Sequence, residues 1–523
     1  MNPILIGFVA YLVILMIKGS LTFKYNRTIA DFVLAGRRLN AWLVSFSERA
    51  SGESAWLLVG LPGLALASGF NAIWPAIGCV SGILFSWVFI SHRLRIQTEK
   101  HDALTLPDLF ENRFSDRTRL LRVVSTVIII FFFTIYVSAQ FLAAGKVLNT
   151  IFGISQFQGM LIGAVIIVIY TVMGGFFAVA WTDLLQGAIM VFTLVLLPIV
   201  GLIELGGVAK LSAALHNVDP AFLHVSGGKH GFPLMASILG GLGIGLGYMG
   251  QPHLVTRFMA IKDPNKLRHG TLIAICWALL AFWGAVFIGI VGLGLFGNAF
   301  ADPEEIMPFM TKALVPAGLA GVLVSGAIAA MMSTADSQLL VSTSAISRDI
   351  YHQMMKKDAP DKRLVMISRV ATLVIGIIAF LLALGAQSLV YWLVLYAWAG
   401  LGASFGPALL TTLWWKKVTR QGVLTGMIVG TVTVLIWYNV PALKDTLYEL
   451  IPGFFLSLFS IITVSLMTQK RVSTREVGLA PACPTMNSRS IAKQANRKNR
   501  SGYQRMGHRT RAWFPAILAQ WGS

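Results

Sequence analysis

Four positions, Ala330, Ser333, Thr334 and Ser337, recur at i, i+3, i+4 and i+7, a spacing that places them on one face of an α-helix. Hydroxyl oxygens with a carbonyl beside them are hard ligands, suited to a small alkali cation. The same stripe also suits interhelical hydrogen bonding inside a membrane, so spacing alone leaves both readings open. A second stretch offers the other half of a site: Arg49-Ala50-Ser51-Gly52-Glu53-Ser54 interrupts an apolar run from Ala41 to about Leu66. In hydrocarbon such a break is tolerated only where it is buried in protein or lines a cavity. The carbonyls it frees, near Ala50 and Glu53, can face the hydroxyl stripe and hold a cation. A counterpart break, from Gly240 to Pro252, follows about two hundred residues later, and paired interruptions in the two halves of a membrane chain point to a transporter binding site.

Acids at membrane depth are costly and mark an ion path or a pairing partner. Glu53, Asp183 and Asp336 are the candidates. Glu53 can offer its carbonyl to a cation, offer its carboxylate to a substrate amine, or pair with Arg49 one turn earlier. Asp183, in Trp181-Thr182-Asp183, fits either a cation region or a helix N-cap. Asp336 lies off the hydroxyl stripe but three residues from Ser333, where a second cation site or a packing bond is open to it. Trp56, Tyr136 and Tyr248 can wall a small solute or pack against lipid.

These residues must be held by membrane helices. The 523-residue chain is 56% hydrophobic, only 12% charged, and has a mean hydropathy of +0.72, a balance that excludes an ordinary soluble protein. Stretches long enough to span lie near 2–18, 41–66, 71–92, 121–149, 156–180, 183–206, 233–256, 270–296, 314–345, 365–385, 389–415, 422–439 and 449–468. The expected fold is therefore an all-α integral membrane protein of about thirteen helices, with the second and seventh broken. The first run is read as a spanning helix, because it lacks a cleavage site. Lys and Arg cluster after odd-numbered stretches, as at Arg37 and Arg38, Arg93 and Arg95, Arg257 and Lys262, Arg348, and Lys416 and Lys417. By the positive-inside rule the N-terminus lies outside and the C-terminus in the cytoplasm. Residues 1–469 form the transmembrane domain.

Residues 470–523 form a basic, disordered cytoplasmic tail. Half of the net charge of +20 sits there, so the charge points to anionic lipid and not to nucleic acid. Cys79, Cys276 and Cys483 share no metal or redox spacing; two read as lipid-embedded thiols and one as a tail residue.

The chain resembles the sodium/solute symporters, and within them the bacterial proline carriers. The likeness is carried by Trp56-Leu57-Leu58-Val59-Gly60-Leu61-Pro62-Gly63, Ala103 to Asp108, Gly174 to Val179 with Trp181-Thr182-Asp183, and Gly245 to Tyr248 with Gly250-Gln251-Pro252-His253. Met332-Ser333-Thr334 with Gln338-Leu339-Leu340, and Tyr396 to Gly400, complete it. The resemblance implies a leucine-transporter-type core in which stretches 2–6 and 7–11 are inverted repeats. It implies a sodium ion held by the carbonyls of Ala50 and Glu53 with Ala330, Ser333 and Thr334, and a second cation region at Asp183; Asp336 and Ser337 are further candidates for such a region. It places Ser54, Ala55, Trp56, Tyr136, Ile244 and Tyr248 at substrate contacts and Arg37 near a cytoplasmic gate. The chain departs from the carriers at Gly52, where they have an aspartate, and at Ile244, where they have a tryptophan. Asp336 is an acid they lack.

The function implied is sodium-coupled uptake of a small solute, proline foremost, by a monomeric unit in the bacterial inner membrane. Sodium is the coupling ion and no organic cofactor is expected. Another zwitterion or a carboxylate is the alternative cargo. A symporter-like solute sensor is the alternative role, but it would need a signalling domain for which the tail has no room. No metal-ligand cluster or nucleophile motif appears among nine histidines and three cysteines, so an enzyme is not expected.

Overall fold

A computed structural model describes residues 3–22, 28–298, 300–356, 358–386 and 389–469. The tail 470–523, with Cys483, lies outside the described residues. Among the described residues there is no β-strand, and eleven helical stretches are long and apolar enough to cross a membrane. A bilayer core offers no water to unpaired peptide groups, so helices that close their own hydrogen bonds are the expected outcome of such apolar runs.

The elements that position the site are α1 (Pro3–Thr22), α2 (Ala41–Gly52), α3 (Ile73–Phe85), α4 (Leu120–Phe152), α5 (Gln156–Met173) and α6 (Phe176–Leu205). They are followed by α7 (Gly231–Gly243), α8 (Pro252–Met259), α9 (Leu267–Phe296), α10 (Ala317–Ser344), α11 (Asp361–Gly385), α12 (Val390–Trp414), α13 (Arg420–Asn439) and α14 (Leu450–Thr468). Helix α6 packs against α2, α9 and α10, with α1 laid on α10 and α4 joining α5, α10 and α12. The α13–α14 pair rests on α12. Helix α11 turns Val370, Leu373, Val374, Ile377 and Leu381 outward, a lipid-facing stripe.

Two of the apolar runs do not continue as simple helices. Helix α2 stops at Gly52, Glu53 takes φ −105 and ψ 17, and the chain resumes as a wide turn over Trp56–Gly60 and a helix over Leu61–Ser68. Helix α7 gives way to a tight 3-10 segment, Ile244–Met249, and Gln251 is extended before α8 begins at Pro252. Glycine is required where α3 meets that segment. A Cβ on Gly82 would stand 2.1 Å from the Gly245 carbonyl oxygen, and one on Gly245 would stand 2.2 Å from that of Gly78. Small residues permit this close helix approach in membranes.

Three expectations are corrected. Asp183 does not cap a helix: Gly175 is the N-cap of α6 and Asp183 is buried two turns inside, because the Gly174-Gly175 pair breaks the chain earlier than hydropathy does. Cys79 is fully buried in protein and not in lipid; Cys276 is exposed on the bundle surface. Arg257, counted with the loop charges, is 1% exposed inside α8.

Candidate functional site

The carbonyls freed where α2 ends are met by α10. The Ser333 hydroxyl donates to the Ala50 oxygen at 2.9 Å, and the Thr334 hydroxyl donates to the Ser51 oxygen at 2.9 Å. Ser333 also reaches Ala330 O at 3.2 Å. Ala50, Ala330 and Ser333 therefore converge, with every side chain fully buried. Thr334 meets the carbonyl of Ser51 and not that of Glu53. Two carbonyls and two hydroxyls at one junction are the oxygen set that a small alkali cation takes, so the residues fit sodium. Two further backbone groups at the breaks find side-chain partners: Ala55 N donates to Gln140 Oε1 at 3.0 Å, and Trp398 Nε1 donates to Ile244 O at 3.0 Å.

One turn along the same face lies a buried charge cluster. Arg257 contacts Asp183 Oδ2 at 3.3 Å, Ser51 Oγ at 2.8 Å, and Ser337. Ser47 donates to Asp183 Oδ2 at 2.5 Å, and Ser337 donates to Asp336 Oδ1 at 3.2 Å. Asp183 Oδ1 and Asp336 Oδ2 are buried with no protein partner. Asp183, Asp336 and Ser337 thus form one cluster, two carboxylates to one guanidinium, with free oxygens. A cation beside them would relieve the surplus, since an uncompensated buried charge costs several kcal/mol.

On the other side of the α2 break, Arg49 Nη1 pairs with Glu53 Oε1 at 2.6 Å and Arg49 binds both oxygens of Glu48. Tyr248 donates to the Glu53 carboxylate at 3.2 Å, and Tyr136 donates to Ser54 Oγ at 3.3 Å. Ser54, Ala55, Tyr136 and Tyr248 therefore gather at the break. Trp56 stands apart from them, its ring 5.8 Å from Phe282 and 6.1 Å from Tyr391. None of the three aromatic residues faces lipid; all are buried. The Ile244 side chain, with Tyr391, lines a cavity of about 700 Å³ that extends to Tyr448 and Glu449.

The sequence profile described as Sodium:solute symporter family matches residues 32–430. The chain belongs to the sodium:solute symporter family. The Osmoregulated proline transporter OpuE of Bacillus subtilis (strain 168) is 40% identical over 472 residues, covering 89% of this chain and 95% of the relative. The Sodium/proline symporter of Escherichia coli (strain K12) is 37% identical over 474 residues, covering 89% and 93%. A solved structure of a Na+-coupled sialic acid symporter in a substrate-bound outward-open state shares the fold, with a TM-score of 0.73 at 18% identity, covering 90% of this chain and 98% of that one. This chain is thus a multi-pass membrane transporter of the symporter family and not an enzyme.

At the end of the symporter opposite the large cavity, a network of hydrogen bonds and ion pairs joins the helices. Arg37 Nη2 donates to the carbonyls of Thr98 at 3.0 Å and Ala103 at 2.9 Å. Beside it, Asp108 binds Arg122 at 2.7 Å and Arg348 at 2.9 Å, and Arg122 also holds Asp349 at 2.6 Å and Glu111 at 2.5 Å. Burial works against the charged form of Asp108, but Arg348 and Arg122 more than offset it and hold the carboxyl below the ordinary carboxylate range. Sequence reasoning assigned no chemistry to the 98–122 segment. It also missed Arg257, Gln140 and Trp398. The signal for Arg257 was its i+4 place behind His253 on an apolar helix, not in a loop.

Proposed function

We propose that this symporter couples sodium entry to uptake of L-proline by alternating access. The observation that carries the reading is the junction of Ser333 and Thr334 with the Ala50 and Ser51 carbonyls at 2.9 Å, an oxygen site made by two elements that must move relative to one another. Relatives with proline in their names, matched over most of the chain, support the cargo. On this reading Ala50, Ser51, Ala330, Ser333 and Thr334, with the Glu53 carbonyl next along the break, hold sodium, and Asp183, Asp336 and Ser337 form a second cation region. Ser54, Ala55, Trp56, Tyr136, Ile244 and Tyr248 hold the solute, and Arg37 serves the inner gate.

The eleven long stretches become thirteen spans when α1 is added and the run Trp56–Lys100 is divided at Gly69, whose φ of +58 turns the chain. Spans 2–6 and 7–11 are then the inverted repeats. Residues 1–469 form the transport domain, working as a monomer in the bacterial cytoplasmic membrane, with 470–523 a basic cytoplasmic tail. On this reading the basic Arg37 end faces the cytoplasm and the cavity faces outward.

The driving force is adequate. One charge crossing about 100 mV yields roughly 2.3 kcal/mol, and a tenfold sodium gradient adds about 1.4 kcal/mol. Together they support accumulation on the order of several hundredfold per sodium. Sodium must bind the solute-competent state better than the other, because a ligand shifts an equilibrium only by its differential affinity. Uptake of labelled proline into proteoliposomes, competed by a panel of zwitterions and carboxylates, tests the cargo. No uptake of labelled proline, with sodium-stimulated uptake of another labelled zwitterion or carboxylate, would reassign it.

A further inference from the structure

We propose that the Glu53 carboxylate is the docking point for the cationic amine of the transported solute, so that the carrier selects ammonium-bearing solutes. The inference rests on the transport reading above and concerns which chemical group that site recognises.

The argument begins with a count of charge around Arg49. Glu48, Arg49 and Glu53 are all buried inside the protein. Glu48 takes Arg49 with both oxygens and also accepts from Trp87 Nε1 at 2.9 Å. A bidentate carboxylate–guanidinium pair of this kind is closed and neutral. Glu53 is the second carboxylate on the same guanidinium, and it receives less. Its Oε1 accepts Arg49 Nη1 at 2.6 Å, while the single hydroxyl hydrogen of Tyr248 is shared between Oε1 and Oε2, each at 3.2 Å. Oε2 therefore holds only part of one hydrogen bond, and with both carboxylates ionised the trio would carry one surplus negative charge. Leaving such a charge unpaired in a buried site is strongly unfavourable, whereas a cation beside it restores balance.

Position decides which cation arrives. The carbonyl and hydroxyl oxygens suited to sodium face α10, through Ser333 and Thr334. The Glu53 carboxylate turns the other way, to Tyr248, beside Ser54 and Tyr136, the residues proposed to wall the solute. The Tyr248 ring is already covered by the Arg49 guanidinium 5.4 Å from its centroid, so a second cation there has a carboxylate oxygen, not an aromatic face, as its partner. A secondary ammonium presents two N–H donors, and Oε2 has capacity for one of them.

The test compares L-proline with tetrahydrofuran-2-carboxylate, the same ring with oxygen in place of the amine, as competitors of labelled proline uptake in proteoliposomes at saturating sodium. Wild type should discriminate by about 30-fold or more, as expected for a buried charge pair losing one partner. E53Q should raise the half-saturating proline concentration by a similar factor and compress the discrimination below about tenfold. Its sodium requirement should move less than about twofold, a change too small for a lost ligand, and E53D should keep much of the preference. A shifted sodium requirement with discrimination intact would overturn the proposal. If E53Q does not assemble, wild type alone decides: near-equal competition by the two compounds overturns it. If wild type takes up no proline, the cargo reading fails separately, and amine selectivity is read on the solutes it does take up. Uptake confined to ammonium-bearing solutes supports the proposal, and uptake of an amine-free carboxylate refutes it.

Discussion

The Ser333 hydroxyl and the Ala50 carbonyl, 283 positions apart in the chain, meet at 2.9 Å inside a fully buried junction. That contact joins the end of α2 to the middle of α10. The Ser333 hydroxyl donates to the freed Ala50 carbonyl, and the Thr334 hydroxyl donates to that of Ser51, so the oxygens that would ligate sodium lie within bonding distance of one another. Sodium entering there would exchange these hydrogen bonds for ligation and tie the two elements together, which is how an ion can favour one state of a carrier.

Arg257 is expected to be a structural requirement. Replacing it by Met leaves Asp183 and Asp336 buried without their guanidinium, and breaking a buried pair costs about 3–5 kcal/mol. R257M should therefore lower the unfolding temperature of the solubilised protein sharply, and adding D336N should recover part of the loss. Equal instability of R257M with and without D336N would show that the two acids do not share that cation.

The latch that Asp108 forms with Arg122 and Arg348 at the Arg37 end should be insensitive to mild acid. Asp108 titrates below its ordinary value, so the stability it contributes is present above the unfolded pKa and disappears only as pH falls through the lower folded one. Hydrogen exchange of residues 104–114, corrected for intrinsic rate, should stay flat from about pH 8 to pH 5. D108N should accelerate it about tenfold or more, since Arg122 and Arg348 lose a common partner. A latch that loosens near pH 6 in wild type would contradict this.

Glu449 predicts the opposite pH behaviour at the cavity end. Burial is the main cause that pushes its carboxyl from 4.5 up to about 7, against weaker opposing effects of its own backbone and Lys444. A raised folded pKa means stability that is complete below the unfolded value and lost as pH rises through the folded one. E449Q should thus be more stable than wild type at pH 8, by up to about 3 kcal/mol, and the gain should vanish by about pH 4. Thermal unfolding at the two pH values reads this directly; a constant difference would place the cause elsewhere.

Much of the bundle was readable because apolar length is a local property of sequence. So was the Arg49–Glu53 pair, one helical turn apart, and the hydroxyl stripe of α10. Arg257 was misread for a physical reason: positive charge near a span end signals a loop unless an acid from another helix takes it inside, and its partner Asp183 lies 74 positions away. The latch escaped for the same reason, since Asp108, Arg122 and Asp349 are joined only in the folded chain. Trp398, which supports the Ile244 carbonyl and packs 4.7 Å from the Tyr248 ring, carried no polar pattern to mark it. A Cβ on Gly247 would fall 1.9 Å from its indole nitrogen, a fit that spacing does not reveal.

The most direct test of sodium coupling at the α2–α10 junction is a sodium titration of labelled proline uptake into proteoliposomes carrying wild type or S333A. Uptake by wild type should rise with an inward sodium gradient, and S333A should need about tenfold more sodium for half-maximal uptake, the loss of roughly 1.4 kcal/mol of ion binding. Uptake indifferent to sodium, or an unchanged half-maximal concentration in S333A, would contradict the account.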